Sequence, residues 1–147
     1  MSTALTRIGA QSDSWPHFVS ALAGARLPTQ DLLDPHQAYF ALLDGGQAVA
    51  YGGFAQFGRD ALLRSIVVPA AGRRRGHGRA VVEALLDQLR QSQVDTAWLL
   101  TETPDFFQHL GFTRAPRDAA PAPIAGTREF TALCPSSAPL MSRRCVP

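Results

Sequence analysis

Residues 72–79, GRRRGHGR, put four arginines and three glycines into eight positions. Glycine reaches backbone angles closed to other residues, so Gly76 and Gly78 can turn successive N–H groups toward one point. The segment opens straight into a stretch of helical periodicity, and a helix N-terminus carries partial positive charge. Arg73, Arg74 and Arg75 add charge-assisted hydrogen bonds at its mouth. Together these make an anion site that suits a pyrophosphate better than a lone carboxylate. Two readings compete with it: a solvated helix entrance with incidental arginines, and a basic patch for nucleic acid. The nucleotide P-loop is excluded because no Gly-Lys-Ser/Thr follows, and the dinucleotide fingerprint because Gly-x-Gly-x-x-Gly is missing after the first strand.

Other chemistry-bearing residues are sparse. His17, His36, His77 and His109 show no metal-ligand spacing, so no metal is expected. Neither Ser65 nor Ser137 sits in the glycine-flanked elbow of a Ser-His-Asp hydrolase. Cys134 and Cys145, eleven positions apart, form no paired-thiol motif and fit a reduced, cytoplasmic setting. The formal charge of +2 is too small for bulk nucleic-acid binding, and no aromatic-rich RNA motif accompanies the arginines. A length of 147 residues with 46% hydrophobic content supports one core, hence a single domain over residues 1–147. Neither a secretion signal nor a bilayer-spanning run is expected.

The elements that must position the loop follow from periodicity. Residues 5–8 form a first short strand. Ser14 is placed to cap a helix carrying Trp15, Phe18, Val19 and Leu22 at helical spacing. Residues 27–33 predict a second short helix that Pro35 ends. Two apolar runs, 37–44 and 47–57, flank Asp44-Gly45-Gly46 as a hairpin, and a further turn leads to a strand at 61–68. Val82, Leu85, Leu86 and Leu89 mark one face of a helix over 77–91, and residues 95–101 return to strand composition. Strand, basic loop, helix and strand make a βαβ unit, so the last strand should run parallel to 61–68. Residues 105–110 predict helical turns stopped by Gly111, residues 112–115 and 127–133 predict the final strands, and the Ala/Pro-rich stretch 117–126 an extended loop.

With these elements in place, the chain resembles the GNAT N-acetyltransferase superfamily, whose signature Arg/Gln-x-x-Gly-x-Gly/Ala reads here Arg73-Arg74-Arg75-Gly76-His77-Gly78. A helix ending in Gly-Phe, Phe106-Phe107-Gln108-His109-Leu110-Gly111-Phe112, is the second likeness, and the resemblance as a whole covers nearly the whole chain in order. Within the superfamily, Leu62-Leu63-Arg64-Ser65, Leu99-Leu100-Thr101-Glu102-Thr103 and Thr127-Arg128-Glu129-Phe130 are most similar to the small acetyltransferases associated with arsenic resistance. The fold implied is α/β (α+β): a mixed, mostly antiparallel sheet of about six or seven strands flanked by helices.

The resemblance implies acetyl-CoA as cosubstrate. Its pantetheine arm would run along Ile66, Val67 and Val68, its phosphates would meet Arg73, Arg74, Arg75, Gly76, His77, Gly78 and Arg79, and Phe107 would adjoin it. The backbone N–H of Ile66 would polarise the thioester carbonyl. Either Glu102 or Glu129 would serve as base for the amine. The tyrosine that many members use as general acid aligns with Phe107, which has no proton to give, so Ser65, a threonine or water is left to protonate the leaving thiolate. On the acceptor side stand Arg64, as a clamp for an anionic group, with Phe54, Thr101 and Thr103; Tyr39, Tyr51 and Phe57 are further candidates for that wall. Adjacent strand residues point to opposite faces, so only one of Arg64 and Ser65 should face the acceptor. The implied acceptor is a small-molecule amine, such as an arsenic-containing or other toxic amino acid. A homodimer using residues 127–146 is compatible with the family, and a catalytically silent acetyl-CoA sensor is the alternative that Phe107 raises.

Overall fold

A computed structural model of the chain describes residues 3–70, 75–134 and 137–145. Seven strands form one sheet: β1 (Thr3–Ile8), β2 (Gln37–Asp44), β3 (Gln47–Phe57), β4 (Asp60–Val67), β5 (Thr96–Leu100), β6 (Thr113–Ala115) and β7 (Leu140–Arg144). Their order is β1-β2-β3-β4-β5-β7-β6. Only β4 and β5 pair in parallel, joined by a crossover through α2 (His77–Gln91). The mixed sheet expected from the βαβ unit is therefore present, with antiparallel meanders on either side of it.

Alternation along the strands builds a layer on each face of the sheet. Phe40, Leu42, Phe54 and Leu63 face α2 and meet Val82, Leu85, Leu86 and Leu89. Tyr39, Ala41, Tyr51 and Val67 face the other way, onto Phe18 and Leu22 of α1 (Trp15–Gly24). Phe18 lies 5.4 Å from Tyr39 and 5.3 Å from Tyr51 between ring centroids, which locks α1 against β2 and β3. Farther along the same face, Leu62, Ala55 and Ile124 form a smaller cluster. Ser14 stands at the N-cap of α1 but makes no capping hydrogen bond with its side chain.

Three expectations are corrected. Residues 27–33 form turns rather than a helix. Pro28 disfavours helical angles at Leu27, and the buried Asp31 carboxylate is captured by Arg64 across the fold. Residues 127–133 are not a strand: Glu129–Leu133 is a π-helical turn. There the Phe130 N–H donates to Thr127 Oγ1 at 3.3 Å, and Arg117 Nη2 donates to the Phe130 carbonyl at 3.2 Å, satisfying the backbone locally instead of in a ladder. The strand that pairs with β5 in that part of the chain is β7, and Cys145 just beyond it is buried and donates its N–H to the Asp95 carbonyl at 2.8 Å. The Ala/Pro-rich stretch likewise folds, into a 3-10 turn (Arg117–Ala119) and a single helical turn (Ala122–Ala125). Arg117 stacks 4.6 Å above the Phe130 ring and donates to the Ala138 carbonyl at 2.9 Å, so this stretch pins the turn that carries Glu129. Among the described residues no helix is long and apolar enough to cross a membrane.

Candidate active site

The site begins with a defect in the sheet. Gly53 pairs with Arg64 and Tyr51 with Val67, so β4 carries one more residue than β3 between these two pairs. Ser65, at φ +59°, sits in this β-bulge. The extra residue resets the alternation: Leu63 and Ile66, three positions apart, both face α2, whereas Leu62 and Val67 face the other layer. Opposite the bulge lies Gly52, where an added Cβ would come within 2.7 Å of Leu85 and 3.3 Å of Ile66. A residue without a side chain is what lets α2 press against the bulged strand.

The ladder between β4 and β5 stops at Leu62 and Trp98, although β4 continues to Val67 and β5 to Leu100. The two strands then border a cleft of about 510 Å³. At one end Gly76, His77, Gly78 and Arg79 line it. Gly76 is the N-cap of α2, at φ +79° and without a side-chain cap, so the first N–H groups of a 15-residue helix are left open to an anion. An added Cβ at Gly78 would sit 3.1 Å from Phe106. Nδ1 of His77 is buried and has no hydrogen-bond partner among the described residues. The expected contacts of Arg73 and Arg74 lie outside the described residues, and Arg75 is exposed.

At the other end the cleft is lined by side chains from distant parts of the chain. Arg64 is buried, with its two Nη atoms on the Asp31 carboxylate, Nη1 to Oδ2 and Nη2 to Oδ1 at 2.7 Å. Its Nε donates to Ser65 Oγ at 3.0 Å and lies 3.6 Å from Glu129 Oε1. Burial opposes the charge on Arg64, but the hydrogen bonds to Asp31 and the field of Glu129 outweigh it and hold the guanidinium protonated. Burial pushes the Glu129 carboxyl up to about 7, against the pull of Arg64. Cys134 lines the same wall, and burial together with the nearby Glu129 pushes its thiol up to about 12. Thr101 Oγ1 accepts the Thr103 N–H at 2.9 Å, shaping the end of β5, and Glu102 is exposed at the rim.

The structure thus brings Arg64, Ser65, Ile66, Val67, Val68, His77, Thr101, Glu102, Thr103, Phe107 and Glu129 to one cleft. Three sequence expectations fail there. Arg64 and Ser65 both line the cleft because the bulge cancels strict alternation between them. Arg64 is also no open clamp, since Asp31 already holds both arms of its fork. Phe54 is not on the wall: it packs in the α2-side core, 5.5 Å from Phe40 between ring centroids. Tyr39, Tyr51 and Phe57 are also absent from the lining. No periodic signal in the sequence marks Asp31 or Cys134 as a site residue. The paired glycines 52–53 inside a strand were a readable sign of the bulge.

A buried carboxyl that titrates near neutrality can accept a proton from an ammonium group, and open helix N–H groups in the same cleft can hold a phosphate. Residues 9–112 match the model of the acetyltransferase (GNAT) family. A comparison with curated proteins found no match. Among solved structures, N-acetylglutamate synthase from Neisseria gonorrhoeae, complexed with coenzyme A and N-acetyl-glutamate, superposes with a TM-score of 0.78 at 16% identity. All of this chain is covered there, but only 36% of the synthase, so the chain spans about a third of that relative's length. Rv2747 from Mycobacterium tuberculosis, in complex with CoA and NLQ, gives a TM-score of 0.77 at 19% identity, covering 96% of this chain and 98% of that one. The ribosomal-protein-S18-alanine N-acetyltransferase from Escherichia coli gives 0.67 at 19% identity, covering 98% and 94%. The bulged and splayed strands, the open N-terminus of α2 and a family match over most of the sequence lead to one conclusion: this chain is a member of the GNAT family of acetyltransferases.

Proposed function

We propose that the protein transfers the acetyl group of acetyl-CoA to the amine of a small molecule. The observation that carries this reading is that one cleft is lined both by an uncapped helix N-terminus and by a buried carboxyl titrating near neutrality. The residues present fit the cosubstrate: Gly76 and Gly78 keep the approach to α2 free of side chains, and His77 offers a buried ring nitrogen without a partner among the described residues. Gly76–Arg79 would hold the phosphates and the backbone of residues 66–68 would flank the pantetheine arm, with Arg75 exposed beside the helix start. Acetyl-CoA supplies the activated acetyl group.

The chain's own groups handle the protons. Glu129 Oε1 takes the proton of the acceptor's ammonium, and it is better suited than Glu102, which is exposed at the rim. The Ile66 N–H, in the bulge, polarises the acyl oxygen. Phe107 is buried beside the cleft, edge-on to Phe106 at 4.9 Å and to Phe112 at 5.7 Å, and has no proton to offer. Ser65 acts as the acid in its place, because its oxygen already accepts from Arg64 Nε, which leaves its O–H to donate to the departing sulfur. Apolar Leu27, Pro28 and Leu133 wall the cleft, which favours a small amine over a polycation. The likeness to arsenic-resistance-associated acetyltransferases adds an arsenic-containing amino acid to the acceptors worth testing. Phe107 also favours a second reading, an acetyl-CoA-binding module without turnover.

Calorimetric titration of acetyl-CoA into wild type and Gly76→Glu, followed by thiol release with a panel of amino acids, arsenic-containing amino acids and other small amines, tests the proposal. Saturable binding lost in the variant, with CoA released by at least one amine, is the expected result. Binding without release by any amine would leave the sensor reading in its place, and no binding at all would overturn both.

A further inference from the structure

Three ionisable side chains meet behind the cleft, and their arrangement is lopsided. Arg64 from β4 stands between Asp31, in the turns after α1, and Glu129, in the π-helical turn. All three are buried. A guanidinium has two faces it can offer a carboxylate, the fork of its Nη atoms and the edge carrying Nε. Asp31 occupies the fork with two hydrogen bonds. Glu129 is left the Nε edge, which it shares with Ser65 Oγ: the serine is within hydrogen-bond distance at 3.0 Å, and Glu129 stands off at 3.6 Å.

Were Asp31 missing, Asp34 would still be held by Arg128, and Glu129, already 3.6 Å from Nε, would be the carboxylate placed to take the free fork of the buried arginine in a bidentate pair. A carboxylate bound in that way is a poor proton acceptor. We propose that Asp31 is a positioning residue: by holding the fork of Arg64, it keeps the Glu129 carboxylate off the guanidinium and free to face the acceptor amine. This inference rests on Glu129 acting as the base.

The other charged or titratable groups around Glu129 do not duplicate this role. Tyr39 on β2 lies 6.0 Å from the Arg64 guanidinium by its ring centroid, and burial keeps its phenol protonated. The Cys134 thiol, on the segment after the π-helical turn, is held protonated by burial and by Glu129 itself. Arg128, next in sequence to Glu129, turns outward to pair with Asp34 at 2.8 Å. Arg117 is spent on the Phe130 and Ala138 carbonyls, so among the described residues the positive charge acting on the Glu129 carboxyl is that of Arg64, and Asp31 holds its fork.

The test reads Glu129 directly. Carbon-detected NMR follows the Glu129 carboxyl through pH in wild type, in Asp31→Asn and in the Asp31→Leu/Arg64→Met double variant, with Glu129→Gln assigning the signal. Freeing the fork in Asp31→Asn should lower the midpoint by about one unit or more, and removing the cation in the double variant should raise it. The acidic limb of kcat/KM should move in the same directions. A midpoint unmoved in Asp31→Asn, or moved upward, would overturn the inference. Because Asp31→Asn leaves a buried arginine short of its partner and can fail to fold, a second measurement uses wild type: nitrogen-detected signals of the Arg64 guanidinium. The Nε signal should follow the titration of Glu129 while both Nη signals stay fixed on Asp31, and Nη signals that move as far as Nε would overturn the inference equally. Should Glu129→Gln retain full turnover and its acidic limb while the midpoints shift as stated, the base assignment fails and the positioning of Glu129 by Asp31 stands.

Discussion

Where α2 meets the cleft the groups poised for binding come from four consecutive residues, Gly76–Arg79, and are largely backbone; where Glu129 meets it they are the side chains of Arg64 and Glu129, backed by Asp31 and spread over most of the chain. The first kind of site is local. Any sequence that bends the chain at Gly76 and starts a helix provides it, and side chains only adjust its strength. The second kind exists only when three distant segments are folded together, and each member depends on the other two. The α2 end should therefore tolerate loss of a side chain, whereas the triad should not.

The largest effect should come from Arg64→Met, which strands two buried carboxyls, one of them paired by two hydrogen bonds. Removing one partner of a buried ion pair costs about 3–5 kcal/mol, so urea unfolding should show a loss of that size. A loss below about 1 kcal/mol would mean that the three side chains do not act as one structural unit. Next, Glu129→Gln should lower kcat/KM at least ~100-fold while calorimetry shows acetyl-CoA binding unchanged. In wild type, kcat/KM should rise with pH through about 7, because the base must be ionised to take a proton and burial has raised its carboxyl to that point. The sign for stability is the opposite: a raised carboxyl keeps its proton longer in the fold than in the unfolded chain. Its contribution is full below the ordinary value of 4.5 and is lost as pH rises through about 7.

Gly52→Ala sharpens the link between the two ends, since its Cβ would press on Leu85 and Ile66 from opposite the bulge. Overpacking of this kind costs about 1–3 kcal/mol, to be read as a lowered midpoint in thermal unfolding. Turnover should fall further than stability alone accounts for, because Ile66 carries the polarising N–H. The smallest effect belongs to the α2 end. Arg79→Ala should weaken acetyl-CoA binding by no more than roughly 5-fold, because an exposed charge contributes at most about 1 kcal/mol beside open helix N–H groups. A drop of 100-fold there would place the binding energy in side chains and dissolve the contrast.

The same contrast explains what could be read from sequence. The βαβ unit with its glycine loop was legible because period-2 and period-3.6 patterns and turn residues act within a few positions of themselves. The helix over 77–91 and both strands of the hairpin at 37–44 and 47–57 lie at the expected bounds. The regions after Gly111 were less legible. Residues 127–133 have strand composition, yet hydrogen bonds to Thr127 and from Arg117 hold them in a π-helical turn, and β7, Leu-Met-Ser-Arg-Arg, lacks the apolar alternation that would declare a strand. Arg64 was expected to be open to the acceptor because nothing near it in sequence says that Asp31 will fill its fork.

Sequence by itself determined the order of elements, the helix start that gathers N–H groups at Gly76, and the family to which these residues belong, because each depends on patterns among neighbours. Tertiary structure alone decided that β4 bulges at Ser65 and parts from β5 beyond Leu62, and that Asp31 and Glu129 meet Arg64 from opposite ends of the chain. It also decided how Glu129 titrates, since desolvation and the field of a partner far away in sequence arise only once the chain has closed around them.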